Sequence, residues 1–179
     1  MKKQLVVSFF GGPGVRKSTM CAHVFAELKW LDINCEIAHE YAKVKVWEKA
    51  NEVLKDQLYV FGKQYHAIKI LEHQVEIILT DSPLLLSIIY DEEKNKELKD
   101  LVLNKYREFY NLPILLTRKA KFNQAGREQD ESQSIKIDEE VENLLEEVDP
   151  LYYIFEGVKE SVQDIVTLIL EEVKIKNKK

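Results

Sequence analysis

The residues best suited to chemistry stand close together near the start of the chain, in the run Gly11-Gly12-Pro13-Gly14-Val15-Arg16-Lys17-Ser18-Thr19. Glycines let a backbone wrap tightly, so that amide groups can cradle an anion, and an ammonium and a hydroxyl follow at the spacing a nucleotide's phosphates require. Lys17 is expected to reach the β- and γ-phosphates and Ser18 to ligate Mg²⁺. One position departs from the usual pattern. Before the lysine, where glycine is normal, stands Arg16, which must either turn its side chain outward or lay it along the phosphates; the outward course is preferred.

Transfer of a phosphoryl group needs three further parts: a carboxylate at the metal, a base for the acceptor, and positive charge that can close over the reacting group. Asp81 follows an apolar segment and suits the metal, with a turn cap as the bland alternative. Glu40 suits a general base, with an N-cap or a solvated residue as its alternative. Which of Glu40 and Asp81 is the base stays open. Arg127, after Gly126, stands where closure of a lid would bring it onto the phosphates, and Arg118 is a second cation for the nucleotide; either could simply face solvent. Gln57, Gln64 and Tyr65 could overhang an acceptor pocket, where an amide would pair with a base edge, but a plain surface role is the preferred reading for each. His23, His39, His66 and His73 have no spacing of metal ligands.

Those groups must be positioned by a scaffold, and the hydrophobic pattern supplies one. Strands are predicted over 5–10, 33–39, 75–80, 113–117 and 152–155. Helices are predicted over 17–31, over 41–73 with a break near Asn51, and over 84–90, 101–110, 135–148 and 161–173. The charged stretch 91–99 reads as a solvated connection or a helix start, and the lysine-rich 174–179 as a frayed end. Trp30 and Trp47 read as core. Five strands alternating with helices imply an α/β, three-layer α/β/α fold with a mostly parallel sheet. Its ligands belong outside the carboxyl ends of the strands, where the glycine-rich turn, Glu40 placed on the strand beside it, Asp81 and the polar stretch from Arg118 would gather.

Composition narrows the classes. With 179 residues and 45% hydrophobic content, one domain over 1–179 is expected, with a lid at about 118–135. A net charge of −5 offers no general attraction to nucleic acid or to an anionic membrane, though Lys43, Lys45, Lys49, Lys63, Lys119 and Lys121 could form a local groove. Cys21 and Cys35 lack the spacing of a metal or redox motif and read as thiols in a reducing compartment. The opening apolar run is too brief for a signal peptide, and no stretch approaches the length of a membrane span, so a cytoplasmic location is expected.

Several separated motifs occur together: Gly11-Gly12-Pro13-Gly14 with Lys17-Ser18-Thr19, Glu40-Tyr41-Ala42-Lys43 followed by Trp47-Glu48, Asp56-Gln57-Leu58-Tyr59-Val60-Phe61 with Lys63-Gln64, Thr80-Asp81-Ser82-Pro83-Leu84-Leu85-Leu86-Ser87, and Gly126-Arg127 before Ile137-Asp138. In these the chain resembles small P-loop kinase-like proteins of bacteriophages, grouped with nicotinamide riboside kinase domains and more distantly with deoxynucleoside and thymidylate kinases. The resemblance covers nearly the whole chain. It implies a nucleoside-kinase-like P-loop fold with a lid, ATP and Mg²⁺ as cofactors, and phosphorylation of a nucleoside, a nucleotide or, as in some members, 5-hydroxymethyluracil in DNA. For a phage-encoded protein the compartment would be the host cytoplasm. A P-loop ATPase or nucleotide-dependent switch without a small-molecule acceptor is the alternative, and a degenerate binding module a third. A homodimer stays open.

Overall fold

The computed structural model describes residues 3–50, 52–119 and 131–178. In chain order the elements are β1 (Leu5–Phe10), α1 (Lys17–Trp30), β2 (Cys35–Ile37), α2 (Tyr41–Trp47), α3 (Glu52–Lys55), α4 (Gln57–Lys69), β3 (Ile77–Thr80), α5 (Leu86–Tyr90), α6 (Lys96–Tyr106), β4 (Tyr110–Thr117), α7 (Glu131–Val148), β5 (Tyr153–Glu156) and α8 (Val162–Lys178). The five strands form one sheet in the order β2-β3-β1-β4-β5, and every pairing is parallel.

β1 is the centre of this sheet because nothing in it tolerates water. All six of its residues are buried, as a strand covered on both faces must be. The pleat then sorts them. Leu5, Val7 and Phe9 point to one side and pack with Val24 and Leu28 of α1 and Ile165, Val166 and Ile169 of α8. Val6 and Phe10 point to the other and meet Phe61 and Ile68 of α4, Leu98 and Val102 of α6, and Val141 and Leu145 of α7. Truncating a fully buried leucine such as Leu28 to alanine costs about 2–5 kcal/mol in a core of this kind.

Several sequence expectations are corrected by this arrangement. Glu40 does not end a strand beside β1: β2 is an edge strand, and β3 lies between them, so Asp81 is the carboxylate delivered next to the glycine-rich turn. The charged stretch holds the start of α6, capped by Asn95, whose side chain accepts from the Leu98 amide at 2.9 Å; Leu98, Val102 and Tyr106 are buried, an i, i+4, i+8 stripe hidden among lysines and acids. β4 begins at Tyr110, upstream of Pro113, because it pairs with β1 from Leu5↔Tyr110 through Ser8↔Pro113, while its ladder with β5 starts only at Ile114. α8 continues to Lys178 rather than fraying after 173, since lysines propagate a helix well and suit its C-terminal end. Trp30 and Trp47 are not core: they are 84% and 65% exposed. Trp30 ends α1 beyond its buried residues Met20, Cys21, Val24 and Leu28, and α2, which Trp47 closes, buries none of its residues.

No helix among the described residues is long and apolar enough to cross a membrane.

Candidate functional site

The chain leaves β1 and wraps over the carboxyl edge of the sheet before entering α1, whose first amides have no acceptor within the helix and so favour an anion. Arg16 occupies the N-cap of α1 with φ 72° and ψ 29°, the left-handed region. That is why glycine is usual at this position, and an arginine there costs roughly 1–2 kcal/mol. Its carbonyl closes the first turn of the helix by accepting from Met20 N at 2.9 Å. Its guanidinium Nη1 donates to the carbonyl of Gly157, beyond β5, at 3.3 Å. Gly157 itself lies so close to the loop that a Cβ would stand 2.3 Å from the Val15 carbonyl oxygen.

Lys17 folds back over the loop and donates through Nζ to the carbonyls of Gly11 at 2.7 Å and Gly12 at 3.0 Å. Lys43, from α2, places its Nζ 3.5 Å from Ser18 Oγ. Asp81 follows β3 and is only 8% exposed. It lies near Cys21, whose thiol is pushed up chiefly by burial and then by the Asp81 charge. For a divalent cation, the hydroxyl of Ser18 and the carboxylate of Asp81 are hard oxygen donors of the kind Mg²⁺ takes, with phosphate oxygens and water completing the shell. Among the described residues no cluster of three or more His, Cys, Asp or Glu could hold a metal by itself. A cation held there would compete with the Lys43 ammonium for the Ser18 hydroxyl.

Glu40 sits at the N-cap of α2, yet its side chain makes no capping bond. That work falls to Gln64: the Tyr41 amide donates to Gln64 Oε1 at 3.3 Å. Gln64 Nε2 in turn donates to Thr80 Oγ1 at 3.3 Å and to the Ala38 carbonyl at 3.4 Å, while Thr80 Oγ1 donates to Ala38 O and accepts from Ser82 N, each at 3.1 Å. A buried amide thus ties the ends of β2 and β3 to α2, and Glu40 is left to project from a fixed frame. The Tyr90 hydroxyl stands between carboxylates and is pushed well above its usual range, by burial first and then by Glu40 and Asp138.

One cavity of about 460 Å³ joins most of these groups; Ser82 lines it, but Asp81 does not. Its floor is the loop, from Pro13 and Gly14 to Arg16, Lys17, Ser18 and Thr19; Glu40 and Lys43 stand at its side; Val46, Leu54, Gln57, Val60, Leu86 and Tyr90 form its far wall. Gln57 and Gln64 are buried and line it, against the preferred expectation of a surface role, but Tyr65 does not: its hydroxyl donates to Glu108 at 2.7 Å.

Two arginines were expected near the phosphates. Arg127 lies outside the described residues. Arg118 sits behind the loop, with Nε and Nη2 donating to Asp138 Oδ2 at 3.1 and 2.8 Å and Nη2 also to the Pro13 carbonyl at 3.0 Å. Its Nη1 is buried without a hydrogen-bond partner among the described residues. Asp138 completes the group by accepting from the Gly12 amide at 2.6 Å. Sequence reasoning gave Asp138 no role, although a signal was there: Ser134 and Asp138 share the inward stripe of α7 with Val141 and Leu145, and Ser134 is fully buried.

A parallel sheet in this order, a glycine-rich loop between its central strand and the following helix, and a lysine and hydroxyl at the helix start define a P-loop nucleotide-binding domain. The chain belongs to the AAA domain family, whose model matches residues 6–164. Among solved structures it is similar to a NadR protein in complex with NR, at a TM-score of 0.70 and 16% identity over 90% of this chain and 50% of that one. A NadR protein in complex with NAD and AMP-PNP aligns with a TM-score of 0.69 and 14% identity, over 96% of this chain and 50% of that one. The chain therefore spans half the length of these structures. No curated protein sequence matches it.

Proposed function

We propose that the chain is an ATP-dependent phosphotransferase acting on a hydroxyl or phosphate of a nucleoside-like acceptor. The observation that carries this reading is the shared cavity: phosphate-loop residues and the Glu40 carboxylate line the same space, and that space extends past the loop to an apolar wall with an amide, Gln57, in it. A switch or simple ATPase has no use for such a chamber, whereas a base or sugar fits apolar walls with a few placed polar groups. The ligands named for the similar NadR structures, NR and AMP-PNP, support a nucleoside-like acceptor and an ATP-like donor on this fold.

In this reading Lys17 leaves the loop carbonyls for the β- and γ-phosphates. Glu40 takes the proton of an acceptor hydroxyl as its oxygen bonds to the γ-phosphorus. The bond from that phosphorus to the bridging oxygen breaks, and ADP leaves. Ser18 and Asp81 would hold Mg²⁺, which neutralises charge on the phosphates. Arg127 would add positive charge over the transferred group. A hydroxymethylated pyrimidine in DNA belongs among the acceptors, as for a phage-encoded enzyme, because residues 41–69 carry six lysines against three acidic residues in a chain that is acidic as a whole.

The test offers γ-labelled ATP with Mg²⁺ against nucleosides, nucleotides and DNA bearing 5-hydroxymethylpyrimidines. Label on an acceptor supports the reading; release of inorganic phosphate alone, unchanged by every acceptor, supports a switch or ATPase instead.

A further inference from the structure

We propose that Asp138 is a positioning residue for the phosphate-binding loop, fixing the orientation of the Gly11–Gly12 peptide, the first of the two whose carbonyls Lys17 grips. The inference rests on the nucleotide-binding reading above and adds a residue outside the glycine-lysine motif.

The peptide between Gly11 and Gly12 is held at both of its polar groups. Its N–H, on Gly12, donates to Asp138 Oδ1 at 2.6 Å, and its C=O, on Gly11, accepts from Lys17 Nζ at 2.7 Å. In a planar trans peptide these two groups point in opposite directions. Asp138 and Lys17 therefore hold one peptide from opposite sides, and whatever fixes the first group fixes the acceptor of the second. A bond from an amide to a carboxylate is charge-assisted and among the stronger kinds.

The other oxygen of Asp138 acts, through Arg118, on the Pro13–Gly14 peptide. Oδ2 takes both Nε and Nη2 of Arg118, and the same Nη2 donates to the carbonyl of Pro13 at 3.0 Å. A single carboxylate thus sets two successive loop residues, Gly12 directly and Pro13 through the guanidinium. The ion pair is sheltered, with side chains 15% and 27% exposed, so losing the carboxylate leaves a largely buried cation beside the loop. There is no slack in the fit: a Cβ on Gly12 would stand 2.7 Å from Asp138 Oδ1 and 2.5 Å from the Ser134 carbonyl. Helix α7 presses directly on the loop, and Gly12 is the residue that permits it.

The experiment compares wild type with Asp138→Ala, Asp138→Asn and Arg118→Ala, each checked for folding by thermal melting. Two readouts are taken: exchange of the Gly12 amide with solvent in the nucleotide-free protein, and affinity for AMP-PNP with Mg²⁺ alongside the KM of ATP and of the acceptor. Asp138→Ala should speed Gly12 exchange and weaken AMP-PNP by about tenfold or more, the ratio for losing one charge-assisted hydrogen bond. The KM of ATP should rise while that of the acceptor holds. Asparagine keeps an oxygen for Gly12 but not the charge for Arg118, so Asp138→Asn should retain amide protection and recover part of the affinity. AMP-PNP binding by Asp138→Ala within about twofold of wild type, unchanged Gly12 exchange, or equal loss of both KM values would overturn the proposal. A wild type that binds no AMP-PNP sinks the nucleotide reading instead, and the Gly12 exchange contrast still decides whether Asp138 holds the loop.

Discussion

The guanidinium of Arg16 reaches the carbonyl of Gly157 at 3.3 Å, so the end of the phosphate loop is tied to the turn beyond the edge strand β5. The residue making this tie has a left-handed backbone that glycine would adopt without strain. Two effects therefore oppose each other: roughly 1–2 kcal/mol of backbone cost against one long, part-buried hydrogen bond of about 0.5–1.5 kcal/mol. The backbone term is the larger. Arg16→Gly should leave the melting temperature unchanged or raise it by a few degrees, as calorimetry would read. A clear fall would mean that the guanidinium contributes more than its single contact.

Gly157 is the less forgiving partner. A methyl group there would stand 2.3 Å from the Val15 carbonyl, and backbone is on the other side of the clash. Gly157→Ala should destabilise the protein by about 1–3 kcal/mol and weaken AMP-PNP as the loop shifts. Denaturant midpoints and titration of the analogue check both.

The buried amide of Gln64 holds the frame from which Glu40 projects, so the two residues should fail in different ways. Glu40→Gln leaves every α2 capping contact in place, because the carboxylate makes none. It should lower kcat by about 10²–10⁴ with little change in melting temperature. Gln64→Leu strands the Tyr41 amide and should cost about 1–3 kcal/mol. Parallel melting and steady-state kinetics would separate the two.

Alkaline pH should act through tyrosines away from the site. Tyr65 is pushed up to about 12, by burial and then by its bond to Glu108, and Tyr110 to about 12, first by its bond to Glu172. Their folded values exceed the unfolded value near 10, so the unfolded chain ionises first, and their contribution is intact below about pH 10 and lost as pH rises toward 12. Urea midpoints should fall across that window, and less steeply in Tyr65→Phe with Tyr110→Phe. An unchanged slope in the double variant would show that other groups control the alkaline transition.

The hydrophobic pattern was enough for five strands, the glycine-rich turn and the parallel layout, because buried strands and phosphate loops announce themselves locally. It could not show strand order. Nothing in residues 33–40 distinguishes an edge strand from a neighbour of β1, and so Glu40 was placed one strand too near. The α6 start was masked by its own solvated face. The partners of Gln64 and Asp138 were out of reach for a different reason: they lie 16 to 126 residues away and are brought together only by folding, so the sequence offered a pocket position for Gln64 and an inward stripe for Asp138 but not what each one holds. Trp30 and Trp47 show the converse, since size and apolarity do not bury a residue at the far end of a helix.

The central claim is that donor phosphates and an acceptor meet in one cavity, and the most direct measurement is the ratio of ADP formed to labelled acceptor in a single reaction. The account predicts acceptor-dependent ADP release matched one-to-one by phosphorylated acceptor, abolished in Lys17→Ala. ADP and inorganic phosphate formed at the same rate with or without any acceptor would contradict it.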